Sequence, residues 1–463
     1  MAEPSATCVV RPIPYIDPAC AFATLRDGGM AVFLESAAVG PDTGRYCVVA
    51  VDPARVIQAD WHDAFDQLSE AQAGVPVIAL PPDWPMGPGF FGSFGYELRR
   101  ALERLPSRHE REEGPSDLIF GLFDTMVVFD LVDRRAAVIA CDLVPGRATA
   151  AARAERTAQR IAEVPALPPV DWTETALWTA DHSPTDYAAA VSRILDYIHA
   201  GDIYQANFTQ RWVAPRVSTL DSFALYRRLR SLSPAPYAAF IEDGCGNAIL
   251  AASPERFLEL SADGHIDTRP IKGTRPRGVT VAQDDMLGEA LRASPKDQAE
   301  NLMIVDLLRN DLGRVAETGS VKVPELNALY SFASVHHLVS TVTAQLRKGL
   351  GQLDLIRASF PGGSVTGTPK IRAMEIVDEL EAARRGAYCG AIGWIGLDGA
   401  MELSIAIRTI TVTRDRLIAQ AGGGIVADSD PAGEYQEALT KARPMLATLD
   451  PAYRAEGKDA DDQ

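Results

Sequence analysis

The chain has 463 residues, too many for one ordinary hydrophobic core, so more than one folding unit is expected. It is 47% hydrophobic and 23% charged, the balance of a soluble globular protein, with 45 Lys and Arg against 62 Asp and Glu. The net charge of −17 argues against nucleic acid or an anionic membrane as a main partner, so an anionic small substrate needs a local cation or metal.

Six cysteines (Cys8, Cys20, Cys47, Cys141, Cys245, Cys389) stand far apart with no CxxC pair, the pattern of free thiols in a reducing compartment. Residues 1–15 hold no basic segment followed by an apolar run, and no stretch is long enough to span a bilayer. A cytoplasmic protein is expected. In chain order, residues 9–142 read as short β segments at 31–35, 45–51, 89–94, 117–129 and 136–141, with proline and glycine breaks. Leu34, Glu35 and Ser36, with Gly44, Arg45 and Tyr46, could line a small pocket between two of them. An Ala/Arg/Glu-rich stretch at 146–164 predicts an exposed helix, and the proline-bearing stretch 165–181 a linker. The N-terminal unit is placed at 1–165, a second at 183–450, and a disordered acidic tail at 451–463.

Ser183-Pro184-Thr185-Asp186 opens the second unit as a capped helix running to Ala200 and stopping at Gly201. A strand at 202–212 and a helix near 222–231 follow. Asp263-Gly264, between apolar alternations, predicts a two-residue hairpin. Counting outward sets Glu255 opposite Lys272 in Arg269-Pro270-Ile271-Lys272-Gly273-Thr274, and opposed residues share a face with Cβ atoms about 5 Å apart. Such a pair is either a cross-strand salt bridge or an acid and an amine aimed into one site, and Pro270 could break the register. Ser294-Pro295-Lys296-Asp297 leads into a helix at 298–313 carrying Asp297, Glu300, Asp306, Arg309 and Asp311. A glycine-rich loop at 361–368 feeds a helix at 369–383, and two β segments at 390–397 and 403–413 precede Gly422-Gly423-Gly424. Asp430-Pro431 begins a last helix bearing Glu434, Glu437 and Lys441, with a kink expected at Pro444. This alternation suggests an α+β sandwich with helices covering the sheets.

Asp297/Glu300 and Glu434/Glu437 are acid pairs three residues apart, so each shows two carboxylates on one helix face. Like charges repel there. Hard oxygen ligands without nearby cysteine or histidine suit Mg²⁺ completed by water and substrate oxygens; the bland alternative is a helix cap and solvated faces. Lys441 continues the face of Glu434 and Glu437. Backbone N–H groups of Ser364, Val365, Thr366 and Gly367 can receive an anion ahead of a helix, although Thr368 replaces the lysine of a P-loop. Gly422 to Gly424 are a second candidate nest, Arg408 can clamp a carboxylate bidentately, and His337 can donate a hydrogen bond. Together these groups describe a site for a small polyanion.

The stretches 201–207 (Gly-Asp-Ile-Tyr-Gln-Ala-Asn), 253–257 (Ser-Pro-Glu-Arg-Phe), 269–274, 299–315, 335–340, 360–375, 405–409 and 421–437 resemble the chorismate-utilising enzymes. The resemblance covers nearly all of 183–448 and is looser over 9–142. It implies an anthranilate-synthase-like sandwich of large, mainly antiparallel sheets with helices outside. Lys272 stands where anthranilate synthases have alanine, and lysine there resembles the branch that forms aminodeoxychorismate. Gln205 stands where isochorismate and salicylate synthases have a lysine that activates water. Asn207 and Asn301 resemble the aminodeoxychorismate branch, while Gln298 and Glu402 depart from the usual arginine and aspartate. The resemblance implies an aminotransferase-class enzyme making 4-amino-4-deoxychorismate from chorismate, toward p-aminobenzoate and folate. Lys272 would be the nucleophile, Glu255 the acid and His337 an assistant near the ring. Mg²⁺ would sit on Glu300 and Glu437, with Asp297 and Glu434 in support. Gly273, Thr274, Ser364, Val365, Thr366, Gly367, Arg408, Gly422, Gly423 and Lys441 would hold substrate. It further implies a separate glutamine amidotransferase subunit supplying ammonia. A tryptophan pocket, inhibitory or structural, is implied at Leu34, Glu35, Ser36, Gly44, Arg45 and Tyr46, closed by Pro236 and Tyr237. The alternatives are an anthranilate synthase, aminating at C2 with pyruvate release, and a non-catalytic scaffold.

Overall fold

The computed structural model describes residues 6–38, 44–217, 219–332 and 335–455. Two large sheets face each other. One starts at Thr179–Ala180 and continues through Gln205–Pro215, Arg416–Ile425, Thr409–Val412, Ala248–Ser253 and Tyr237–Asp243. It then passes into the N-terminal strands Met30–Glu35, Tyr46–Val51, Thr125–Asp130, Arg135–Cys141, Ala6–Ile13 and Ile78–Ala79. The smaller sheet runs Ile271–Pro276, Val335–Gln345, His265–Thr268, Arg256–Leu260, Met401–Ile405, Ala391–Gly396, Gly89–Phe94, Leu118–Phe123 and Arg55–Ala59. Both sheets thus mix strands from before and after the linker, so one sandwich is built from the two sequence units. Apolar faces meet between the sheets: Val32, Val48, Val128 and Ile241 from one pack with Phe91, Phe123, Ile392 and Trp394 from the other. Each such side chain contributes about 1.5–3 kcal/mol on burial.

Two expected strands are each split. Residues 117–129 form Leu118–Phe123 in the smaller sheet and Thr125–Asp130 in the larger; 403–413 fall in Met401–Ile405 and Thr409–Val412, again in different sheets. Polar residues interrupt each apolar run at the join, Asp124-Thr125 in one and Arg408-Thr409 in the other, but only the partner strands reveal the change of sheet. At the second crossing Arg408 has φ +49, a left-handed conformation costing a non-glycine residue about 1–3 kcal/mol.

The helix starts are as expected. Ser183 and Asp186 form a capping box for Pro184–His199, Ser294 caps Pro295–Gly313, and Asp430 caps Pro431–Leu446, which runs through Pro444. The linker has little regular structure but is held: buried Arg228 donates to the carbonyls of Asp171 at 2.6 Å and Glu174 at 2.8 Å. Pro451–Ala455, expected within the tail, form a short helix, and the rest of the tail lies outside the described residues. The expectation of six free thiols fails at one pair. Strands 6–13 and 135–141 pair antiparallel with Cys8 opposite Cys141, and the two form a disulfide across 133 residues that spacing along the chain does not signal. Among the described residues no helix is long and apolar enough to cross a membrane.

Candidate active site

The hairpin at Asp263-Gly264 closes differently from the expected two-residue turn. Ser261 N–H donates to His265 O and Gly264 N–H to Ser261 O, both at 2.9 Å, so three residues form the loop. The register therefore shifts by one, with Glu259 facing Asp267 and Leu260 facing Ile266. Extended outward, Glu255 would face Ile271, not Lys272. Lys272 instead pairs with Leu338 of the strand Val335–Gln345.

Acid and amine nevertheless meet, by another route. Lys272 pairs with Leu338 and Thr274 with His337, which leaves Gly273 as an extra residue, a bulge. Its φ is +80, and a Cβ there would stand 2.8 Å from Asp297 Oδ1 and 2.9 Å from Leu291 Cδ1. Only glycine lets the strand turn so while the helix approaches so closely. Just before the bulge, Lys272 Nζ donates to Ser364 O at 3.2 Å. The lysine is half-buried, and burial lowers its pKa against the opposing charges of Glu300 and Glu255. Glu255 is 6% exposed. Burial raises its pKa, against the Ser364 hydroxyl, the Lys272 charge and the Ile271 N–H. Desolvation thus works against charge on both, favouring a neutral acid beside a neutral amine.

The other polar groups singled out from the sequence take the following positions. Arg408 stands half-buried at the corner between the sheets, and burial lowers its pKa. Among the described residues its guanidinium has no hydrogen-bond or ion-pair partner. A desolvated cation without a counter-charge is costly, and an arriving carboxylate offsets that cost. His337 Nδ1 is 2.9 Å from Thr274 Oγ1, and burial and the Arg408 charge push its pKa down to about 4, so the ring is neutral at pH 7. Gln205 and Asn301 are fully buried, and neither carboxamide has a partner on its oxygen or its nitrogen.

The four helix carboxylates converge. Glu300 feels the charges of Asp297 and Glu437, and Glu434 feels that of Glu437. Asp297 is bound by Arg275 at 3.1 Å, Glu434 by the Ser429 hydroxyl at 2.6 Å, and Glu437 by Lys441 at 2.7 Å. Lys441 also donates to Gly422 O at 3.0 Å, so it pairs within the protein. Glu300 has no such partner among the described residues. A Cβ on Gly423 would lie 3.2 Å from Glu434 Oε2 and 3.4 Å from Glu437 Oε1. The missing side chain leaves an oxygen-lined cradle. Among the described residues no three such ligands form a cage of their own. These residues fit Mg²⁺, which keeps several waters and binds through one or two carboxylates plus substrate oxygens.

Gly422 to Gly424 are not the expected nest. They lie inside the strand Arg416–Ile425, opposite Thr209, Phe208 and Asn207, so they supply a floor without side chains. In the 361–368 loop, Gly363–Val365 form a short 3-10 turn, Thr366 Oγ donates to Gly362 O, and Gly367–Thr368 pair with Gln205–Ala206. The lysine Lys296, not singled out from the sequence, acts electrostatically on Glu300, Glu434 and Glu437. Its only signal was its place beside Asp297 at a helix start.

The N-terminal residues form a separate cluster. Glu35 is buried, accepts from Tyr226 OH at 2.8 Å, lies 2.5 Å from Arg230 Nε, and has its pKa raised to about 7 by burial. Ser36 Oγ donates to Pro236 O at 3.0 Å, Arg45 is bound to Asp130 and Asp133, and the Arg256 guanidinium lies over the Tyr237 ring. Leu34 packs half-buried against the inter-sheet core, Tyr46 lies under Arg45, and Gly44 precedes the strand.

A family model described as "chorismate binding enzyme" matches residues 31–447. Aminodeoxychorismate synthase component 1 of Klebsiella aerogenes is 46% identical over 369 residues, 80% of this chain and 79% of that protein. Anthranilate synthase component 1 of Streptomyces coelicolor is 39% identical, covering 94% of this chain and 86% of its own length. The crystal structure of anthranilate synthase component I from Streptococcus pneumoniae superposes with a TM-score of 0.77 at 31% identity, covering 88% of this chain and 93% of that one.

Proposed function

The chain belongs to the chorismate binding enzymes, and from that premise we propose that it converts chorismate and ammonia to 4-amino-4-deoxychorismate, toward p-aminobenzoate. The observation that carries this reading is Lys272, desolvated and held on Ser364 O beside buried Glu255. The Lys272 amine bonds to ring carbon C2 as both ring double bonds shift, C1=C2 to C1=C6 and C5=C6 to C4=C5, and the C4–O bond breaks. Glu255 gives its proton to the departing oxygen, which leaves as water. Ammonia then bonds to C4, both double bonds shift back, and the C2–N bond breaks to return Lys272 as a neutral amine. The new ammonium returns one proton to the Glu255 carboxylate. Arg408 holds a substrate carboxylate, and neutral His337, fixed by Thr274, faces the ring. Mg²⁺, when bound, would sit on Glu300 and Glu437 with Asp297 and Glu434 behind, and would anchor the ring carboxylate and neutralise the nearby acids.

Ammonia comes in this reading from a separate glutamine amidotransferase subunit, supported by the "component 1" of the relatives' names. The cluster around Glu35 is read as a tryptophan pocket. Chorismate, ammonium and Mg²⁺ incubated with the chain should give the non-aromatic amine with its enolpyruvyl group intact, and peptide mapping should find a transient adduct on Lys272. Pyruvate and a fluorescent aromatic amine would instead identify an anthranilate synthase. Binding heat for tryptophan should vanish in Glu35→Gln.

A further inference from the structure

Arg385 lies just beyond the helix Lys370–Leu380 and is 3% exposed. Its Nη1 donates to Val365 O at 2.8 Å, and its Nη2 to Asn207 O at 2.6 Å. Nε and Nη2 also donate to the two oxygens of Glu381, at 2.9 and 2.7 Å. The guanidinium lies over the Tyr96 ring, 4.6 Å from its centroid. Glu381 is itself fixed, accepting from the Thr209 N–H at 3.0 Å and hydroxyl at 2.6 Å. A planar fork held on one side by a carboxylate and on one face by a ring has little freedom, so its remaining donors point in set directions.

Those directions lead to the cleft. Val365 follows Ser364, whose carbonyl receives Lys272 and whose hydroxyl stands beside Glu255. Asn207 donates its own N–H to Thr366 O at 2.7 Å, so one guanidinium grips both the loop and the strand that braces it. We propose that Arg385, oriented by Glu381, is a positioning residue that sets Ser364 against Lys272 and Glu255 by holding the Val365 and Asn207 carbonyls from behind. The proposal rests on the function read above and adds to it a residue that substrate never touches. Lysine at 385 would keep the charge beside Glu381 but lacks the planar fork needed to hold both carbonyls.

Arg385→Lys in the full chain provides the test. Amide exchange at 362–368 should quicken about tenfold while the Pro184–His199 helix keeps its wild-type protection. With chorismate and ammonium, kcat should fall by about 10- to 100-fold, as for a small misplacement of reacting groups, and KM for ammonium should hardly move. Guanidinium added to Arg385→Ala should restore part of kcat by filling the space the side chain leaves beside Glu381. Unchanged exchange at 362–368 overturns the proposal, as does faster exchange with wild-type kcat. Loss of protection throughout the chain, with no rescue of Arg385→Ala, overturns it too. Faster exchange at 362–368 alone, in a chain whose wild type ignores chorismate, upholds the clamp and sinks the substrate reading.

Discussion

Glu35 and Glu255 are both buried carboxyl groups, 4% and 6% exposed, and burial raises the pKa of each. Their neighbourhoods differ. Glu35 sits among partners already engaged: Tyr226 and Arg230 on the acid itself, Asp130 and Asp133 on Arg45, and Pro236 on Ser36. Among the groups singled out with Glu255, the side chains of Arg408, Glu300, Gln205 and Asn301 have no hydrogen-bond or ion-pair partner among the described residues. An unmet buried polar group costs about 1–3 kcal/mol, so the fully buried carboxamides of Gln205 and Asn301, with half-buried Arg408 and Glu300, carry a cost unless a polar ligand arrives to meet them. The comparison teaches that burial alone does not distinguish a structural acid from a reacting one; the state of its neighbours does.

The contrast breaks if the cleft residues prove merely structural. Lys272→Ala should lower kcat by about three orders of magnitude or more while changing chorismate affinity only a few-fold, measured by turnover and by equilibrium binding. Equal loss of both would make the lysine a structural one. Glu255→Gln should lower kcat by about 10²- to 10⁴-fold.

The pH profile sharpens the same point. Lys272 must be neutral, so activity should rise with pH through its lowered pKa; Glu255 must be protonated, so activity should fall through its raised one. The two limbs belong to the coupled pair. His337, at about 4, adds no limb above pH 5, and Glu255→Gln should abolish the alkaline one. Arg408→Met should raise KM for chorismate about 10- to 100-fold, the size of a lost charge-assisted hydrogen bond, with a smaller change in kcat.

On the other side of the comparison the effect on turnover should be least. Glu35→Gln should leave kcat within about twofold and lower stability by about 1–3 kcal/mol in thermal or urea unfolding. Its pKa in the folded chain is raised from 4.5 to about 7. Its stabilising contribution is therefore full below the unfolded pKa and is lost as pH rises through the folded value. The gap between wild type and Glu35→Gln should accordingly be wider at pH 5 than at pH 8.

Much of the site could be read along the chain because its parts are local. Ser294 and Asp430 announce helix starts, the i,i+3 acid pairs follow from helical spacing, and Gly273 beside a lysine marks a special backbone position. The Cys8 to Cys141 pairing was not readable, since it depends on strand register across the large sheet. Arg385 carried no signal either: an arginine after a helix looks like any surface cation until its carbonyl partners are known.

Sequence by itself determined which chemical groups this protein owns, where its helices begin, and that a lysine, paired acids and a candidate anion-binding loop describe a site for a small polyanion. The tertiary structure decided how they meet. A three-residue turn shifts the hairpin by one, a glycine bulge brings Lys272 to Ser364, and a change of sheet at Arg408 leaves its guanidinium unpaired in the cleft. Turn type, bulge and sheet exchange are settled by which distant strand is available to pair, and local backbone preference carries no record of that partner.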